Sequence, residues 1–525
     1  MRKYLRFKFV CTLLIITALN GTIPSEAQVQ KKLKELDEFI IDGMRDWNMP
    51  GLAVSIVKEG EIVYEKGFGL RKRGGNEKVD QHTIFGVAST TKAMTVTALA
   101  MLVDEGKIRW DDRVRDHLPW FELSDPWVSN VVTIRDLLTH QVGIGRMTGN
   151  RLAFMPNRDR RTILDHIRYQ PFEIPFRSGY LYSNVMYMVA GMIIQEVEGK
   201  NWDQFLPERL FTPLNMNSAS VSVTQISGND NAAWPHQEIE GTIQPIPRRN
   251  FDNIGPAASV NASAHDMAQW MLMNLGEPGK YKEKTLVSRE VMNDIFQPQQ
   301  ALSVSDPLSN SFSAYAMGWN AGTYGEYRIF QHGGATDGMN SIIVLVPEIE
   351  LGIFVASNLF DGFRPAIVSR VIDDFLEIER EYDWHEVFFE QYKKEKEAAL
   401  QRKKEIDDAR VPGTSPSLPL EQYTGKYYDS VYDDVEVRLS DNGTLEILFW
   451  GDPEMVADME HWHFDTFRAS WRNRAMREKF ISFDLGQDGR VRQLNVNFTL
   501  RPLMIEAGIY PADYFRIVEY KKTDY

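Results

Sequence analysis

The chain has 525 residues, 43% of them apolar, with 59 basic and 73 acidic side chains and one cysteine. That length allows two to four domains at roughly 100–200 residues each, and the ordinary apolar and charged fractions exclude a disordered or fibrous chain. A net charge of −14 argues against a nucleic-acid partner, which needs a basic face to release counterions, and a single cysteine builds neither an internal disulfide nor a cysteine zinc site.

At the start, Arg2, Lys3, Arg6 and Lys8 precede an apolar run from Phe9 to Leu19, and Ser25-Glu26-Ala27 offers small residues two apart. This is the pattern of an export signal over residues 1–27, cleaved before Gln28. The run is too short to span a bilayer, so the expectation is a periplasmic or extracellular protein with no membrane anchor after cleavage. Cys11 lies inside the apolar run behind bulky Phe9 and Val10, which is not where a lipid-acceptor cysteine sits. Cleavage removes four basic side chains and one acidic one, leaving 55 and 72, a net charge of −17, and no cysteine.

Residues 31–47 predict an amphipathic helix, with Leu33, Leu36, Phe39, Ile40 and Met44 at helical spacing. Two strands follow, at 51–58 and 61–65, around a Glu59-Gly60 turn. Helices are expected near 91–105, 133–139, 182–198 and 264–275, and strands at about 325–331, 340–346 and 351–357. With strands at both ends and helices between, residues 28–385 read as one α+β domain whose two ends share an antiparallel sheet. Residues 386–419 read as a charged, exposed helix and the proline-rich linker Val411-Pro-Gly-Thr-Ser-Pro-Ser-Leu-Pro419. From 420 to 525, short alternating runs at 434–439, 444–450 and 490–498 predict a small β domain, a barrel or a sandwich. Its Trp450, Trp462 and Trp471 are expected in the core.

Three short patterns carry chemistry. Ser89-Thr-Thr-Lys92 opens a helix that is apolar nearly all round and therefore buried. Lys92 lies three residues on, within reach of the Ser89 hydroxyl, and a buried lysine of depressed pKa can accept a serine proton. Tyr182-Ser-Asn184 offers a phenol for proton transfer and an amide for a substrate or for the lysine. His332-Gly333-Gly334 follows a strand, where glycines admit a ligand backbone, and the Ala335 N–H could join that of Ser89 as an oxyanion hole. Each pattern alone is better explained by a plain structural role: a capping serine with a solvated lysine, a packed tyrosine with a capping asparagine, and a glycine turn beside a surface histidine.

Together they resemble the penicillin-recognising serine hydrolases, in the class C β-lactamase-related branch that includes esterases and D-aminopeptidases. The resemblance covers about residues 30–380 and also takes in Phe85–Lys92, Thr133–His140 and Gly255–Ser263. It implies a β-lactamase/transpeptidase-like catalytic domain, with Ser89 as the acylated nucleophile, Lys92 as its activator and Tyr182 as general base. Asn184, His332, Gly333 and Gly334 would bind substrate, on the strand that carries Lys-Thr-Gly in true β-lactamases. Histidine is mostly neutral at pH 7, so recognition of a substrate carboxylate is weaker and the expected bond is an amide or ester. The tail resembles the lipocalin-like domain often appended to this branch, and loops 145–175 and 225–255 would wall the pocket. A genuine β-lactamase and a catalytically silent sensor on the same scaffold are the two alternatives.

The sequence holds no Gly-x-Ser-x-Gly elbow. His461-Trp-His463 offers two ligands where a zinc site needs three or four. No metal or other cofactor is expected, and the partner is a small-molecule or peptide substrate.

Overall fold

The computed structural model describes residues 26–145, 158–303, 312–380, 382–473, 476, 478–497 and 517–523. The expected export signal therefore lies almost wholly outside the described residues. Among them, no helix is long and apolar enough to cross a membrane.

Helix α1 (Glu26–Asp46) leads into β1 (Gly51–Lys58) and β2 (Glu61–Gly69). The buried helices α2 (Thr91–Asp104), α3 (Asn184–Glu198) and α4 (Ala264–Asn274) follow. The chain then returns to the sheet through β3 (Gln300–Ala301), β4 (Ser313–Tyr315), β5 (Asn320–Tyr324), β6 (Tyr327–Thr336), β7 (Met339–Val346) and β8 (Leu351–Ser357). The sheet order is β2-β1-β8-β7-β6-β5-β4-β3, so the N-terminal strands pair with the last strand of the domain, as an α+β reading requires.

Alternation along the strands sends neighbouring side chains to opposite faces. Val54, Ile56, Ile353 and Val355 pack under α1 and α5 (Phe363–Leu376). Ala53, Val57, Phe354 and Ala356 face the helical layer that contains α2, α3 and α4. Covered on both faces, these central strands are continuously apolar rather than alternating.

Two expectations are corrected. Strand β6 does not stop at 331. It continues to Thr336, because β7 keeps pairing with it through His332↔Ile343, Gly334↔Ser341 and Ala335↔Asn340 as far as the Asp337-Gly338 turn, where Gly338 sits at φ 69°. His332-Gly333-Gly334 thus lies inside the strand. The charged helix, α6 (Trp384–Asp408), is not exposed along its whole length: Phe389 and Tyr392 pack their rings 5.1 and 4.7 Å from that of Trp47. Its apolar residues cluster in its first turns, and the charge run begins only beyond them.

The tail forms a closed barrel of eight strands: β9 (Gly425–Asp429), β10 (Asp433–Leu439), β11 (Leu445–Phe449), β12 (Val456–His463), β13 (Thr466–Trp471), β14 (Lys479–Leu485), β15 (Val491–Asn497) and β16 (Ile517–Lys522). Inward aromatic rings pack its interior, with Tyr423, Phe467 and Phe483 at centroid separations of 5.0–5.7 Å. Trp462 and Trp471 are buried. A β-bulge separates His461 from His463; His461 bonds the Phe464 carbonyl and His463 accepts the Val411 N–H. No group of three or more His, Cys, Asp or Glu side chains that could hold a metal occurs among the described residues. The barrel contacts the α+β domain through an Arg158–Asp433 ion pair and a 3.1 Å bond between His166 Nδ1 and the Ser430 carbonyl.

His236 ties the 71–73 loop to the sheet: its Nε2 accepts the Arg73 N–H and its Nδ1 bonds the Asn358 carbonyl. Burial lowers its pKa from 6.5 to about 4. The unfolded chain therefore binds a proton that the native state refuses, so the contribution of His236 is complete above pH 6.5 and is lost as pH falls towards 4. Denaturant unfolding at pH 7, 6 and 5 is expected to show that loss in the parent protein and a flatter profile in His236→Gln.

Candidate active site

Ser89 lies in a single 3₁₀ turn, Ala88–Thr90, that leads into α2 at Thr91. From Thr91 to Leu102 every residue of α2 is buried, so Lys92, with no exposed surface, needs oxygen partners. Lys92 Nζ donates to Ser89 Oγ at 3.2 Å, to Asn184 Oδ1 at 2.7 Å and to the Ala257 carbonyl at 2.9 Å. Those three bonds use the three hydrogens of an ammonium. Lys92 Nζ also sits 4.6 Å from the ring centroid of Tyr182, close enough for a cation–π contact.

Three separate segments deliver these partners. Asn184 is the first residue of α3, which aims its side chain back at α2. Tyr182 reaches the site from the extended stretch just before. His140 steadies that stretch, its Nδ1 accepting the Ser183 N–H at 3.0 Å and its ring lying 4.3 Å from that of Tyr182. The Ala257 carbonyl comes from the short helix Gly255–Ala258, held by Ser259 Oγ donating to Val221 O at 2.6 Å.

The fourth side is β6. Strand β5 pairs with β6 only as far as Gln331, and beyond it the His332–Thr336 stretch lies against the Ala88–Thr90 turn. A Cβ on Gly334 would stand 2.0 Å from the Val87 carbonyl and 3.1 Å from Ala88 Cβ, whereas one on Gly333 would meet nothing nearer than Ser341 O at 3.8 Å. The two glycines are therefore unequal: Gly334 alone is required by close approach of the chain. Ala88, immediately before Ser89, holds φ 51°, a left-handed value that a side chain adopts at some cost.

His332 is almost fully buried. Its Nδ1 bonds Gly333 O at 2.7 Å and its Nε2 meets the Tyr315 hydroxyl at 3.2 Å. A carbonyl can only accept, so Nδ1 carries the proton; a neutral ring then takes the Tyr315 hydrogen at Nε2. Burial pushes the Tyr315 phenol well above its usual range, which keeps that hydrogen in place. The imidazole is thus held by protein groups inside the strand.

Ser89, Lys92, Tyr182 and Asn184 converge on one point, and His332, Gly333 and Gly334 lie along the strand beside it. Sequence reasoning missed the Ala257 carbonyl, His140 and Tyr315. The first two stand in the Gly255–Ser263 and Thr133–His140 segments, whose resemblance carried no assigned role. Beside the site, a cleft lined by Gly86, Asn261 and Thr336 adjoins a cavity of about 680 Å³; they share Arg248, Arg249 and Asp337, and Glu454 and Met455 of the barrel line the cavity. Arg249 pairs with Asp337 at 2.7 Å, and Arg248 donates to the Ala232 and Ala233 carbonyls.

Residues 36–375 match the family described as Beta-lactamase, and residues 409–507 match a domain of unknown function, DUF3471. The chain is 27% identical over 432 residues to an unguisins hydrolase of Aspergillus campestris, covering 78% of this chain and 79% of that protein. It is 27% identical over 345 residues to protein flp of Staphylococcus aureus, covering 64% of this chain and 65% of flp. Among solved structures, the octameric penicillin-binding protein homologue of Pyrococcus abyssi superposes with a TM-score of 0.59 at 19% identity, over 88% of this chain and 98% of that one. SurE superposes with a TM-score of 0.55 at 17% identity, over 89% and 97%.

Proposed function

The chain belongs to the beta-lactamase family, and from that premise we propose that it is an exported serine hydrolase that cleaves an amide or ester bond through an acyl-enzyme on Ser89. The observation that carries this reading is the 3.2 Å bond between Lys92 Nζ and Ser89 Oγ, made by a lysine with no exposed surface.

Ser89 Oγ attacks the substrate carbonyl and must lose its proton as it does so. A Lys92 that donates to three oxygens has no lone pair to offer, so the proton passes to Tyr182 acting as a phenolate, whose charge the neighbouring ammonium balances, and the negative charge moves to the substrate oxygen. Tyr182 returns the proton to the leaving amine or alcohol. Water next attacks the acyl-enzyme with Tyr182 again as base and frees Ser89. Backbone N–H groups of Ser89 and Ala335 would hold the oxyanion.

The peptidase or esterase reading over a β-lactamase rests on His332. On the strand that carries Lys-Thr-Gly in true β-lactamases, a buried imidazole engaged with Tyr315 takes the place of a permanent cation. Export rests on the basic start and apolar run of residues 1–19.

The test is a mass-spectrometric screen of D-amino-acid peptides, short-chain esters and β-lactams against the parent protein and Ser89→Ala. Turnover of a peptide or ester by the parent alone supports the proposal. Nitrocefin turnover that needs Ser89 would establish the β-lactamase reading instead, and turnover that survives in Ser89→Ala would refute the serine mechanism.

A further inference from the structure

Against the Ala88–Thr90 turn lies a buried polar cluster that the acyl-enzyme chemistry leaves unused. Ser341 of β7 is directly opposite Gly334 of β6 and has no exposed surface. Its hydroxyl donates to Val87 O at 2.8 Å and lies 2.9 Å from Thr90 Oγ1. Ser341 has one hydrogen, and a carbonyl cannot donate. The hydrogen therefore goes to Val87, and Thr90 donates its own to Ser341 Oγ. One side chain thus holds the residues on either side of Ala88-Ser89, at the place where Ala88 sits at φ 51°.

The opposite end of Ser341 is held as well. The half-buried Arg364 guanidinium donates to the Ser341 carbonyl. Arg364 is paired electrostatically with buried Asp361, which accepts from the Phe363 N–H at 2.7 Å and bonds Ser357 Oγ at 2.7 Å. A buried carboxylate is costly unless well bonded, and here Asp361 holds the guanidinium that fixes a single strand residue. That residue links Gly334's strand to the nucleophile turn, hence the two backbone segments that carry the Ser89 and Ala335 N–H groups.

We infer that Ser341 is a positioning residue for catalysis: its hydroxyl, clamped between Val87 and Thr90 and backed by Arg364, sets the spacing of the two backbone donors of the oxyanion hole. This rests on the Ser89 acyl-enzyme reading. The proton route from Ser89 to Tyr182 does not pass through Ser341, so its loss changes how well the oxyanion is held and not which group takes the proton.

The experiment measures the rate at which a fluorophosphonate labels the full-length protein between pH 6 and 9, together with the thermal midpoint. Ser341→Ala is expected to label about 10- to 100-fold more slowly, a share of the roughly 10²–10³-fold cost of losing one oxyanion donor outright. Its pH midpoint is expected to match the parent's, which a change of base would shift. Ser341→Cys, which keeps the shape and a weak donor, should fall between the two and serves as the reading if the alanine variant does not fold. Labelling of either variant at the parent rate overturns the inference while the Ser89 reading stands. A parent protein that takes no label overturns both.

Discussion

Replacing Lys92 by methionine is expected to lower the rate of Ser89 acylation by about 10²–10³-fold, the range that losing one preorganised charge-stabilising donor costs. Methionine fills nearly the same volume but leaves Ser89 Oγ, Asn184 Oδ1 and the Ala257 carbonyl without the donor they share. A buried acceptor left unpaired costs about 1–3 kcal/mol, so the variant is also expected to unfold at lower denaturant concentration. The two effects separate because acylation is measured well below that midpoint. Lys92→Arg should not rescue: a planar fork of five donors cannot reproduce three bonds radiating from one nitrogen. Equal acylation rates in Lys92→Met and the parent would show that this ammonium takes no part.

The second large effect is expected at Gly334. A methyl group there would stand 2.0 Å from a backbone carbonyl, and backbone cannot rotate aside as a side chain can. Strand β6 or the Ala88–Thr90 turn must move. Overpacking of this kind costs about 1–3 kcal/mol, and a displacement near 1 Å at reacting groups costs on the order of 10²-fold in rate. Gly334→Ala should therefore lose about two orders of magnitude in acylation together with a lower unfolding midpoint. Gly333→Ala, whose new methyl would meet only an ordinary contact at 3.8 Å, should fold like the parent. Equal effects of the two substitutions would mean that the strand and the turn are not in register as described.

How much of this was legible in the sequence depended on how local each feature is. The spacing of Ser89 and Lys92 on one helix fixes their proximity, so that pair could be read from four residues. The distant partners needed recognisable segments: Tyr182 and Asn184 stood out because they open an apolar helix, whereas the Ala257 carbonyl carries no side-chain signature. Ser341 could not be found, because its role comes from antiparallel register with Gly334 and from a turn some 250 residues earlier in the chain. The end of β6 was misplaced because two glycines weaken strand propensity, while the ladder continued through main-chain bonds to β7. Strands β12, β13 and β14 of the barrel were missed for a related reason. Their outward faces carry Asp458, Glu460, Arg468 and Asp484, and Ala457 and Ala469 give their inward faces little apolar contrast.

The central claim is that Ser89 becomes covalently acylated. Intact-mass and peptide-mapping spectrometry after treatment with a fluorophosphonate tests it most directly. The account predicts one adduct, on the peptide containing Ser89, and no adduct in Ser89→Ala. An adduct on another residue, or a parent protein that takes none, would contradict it.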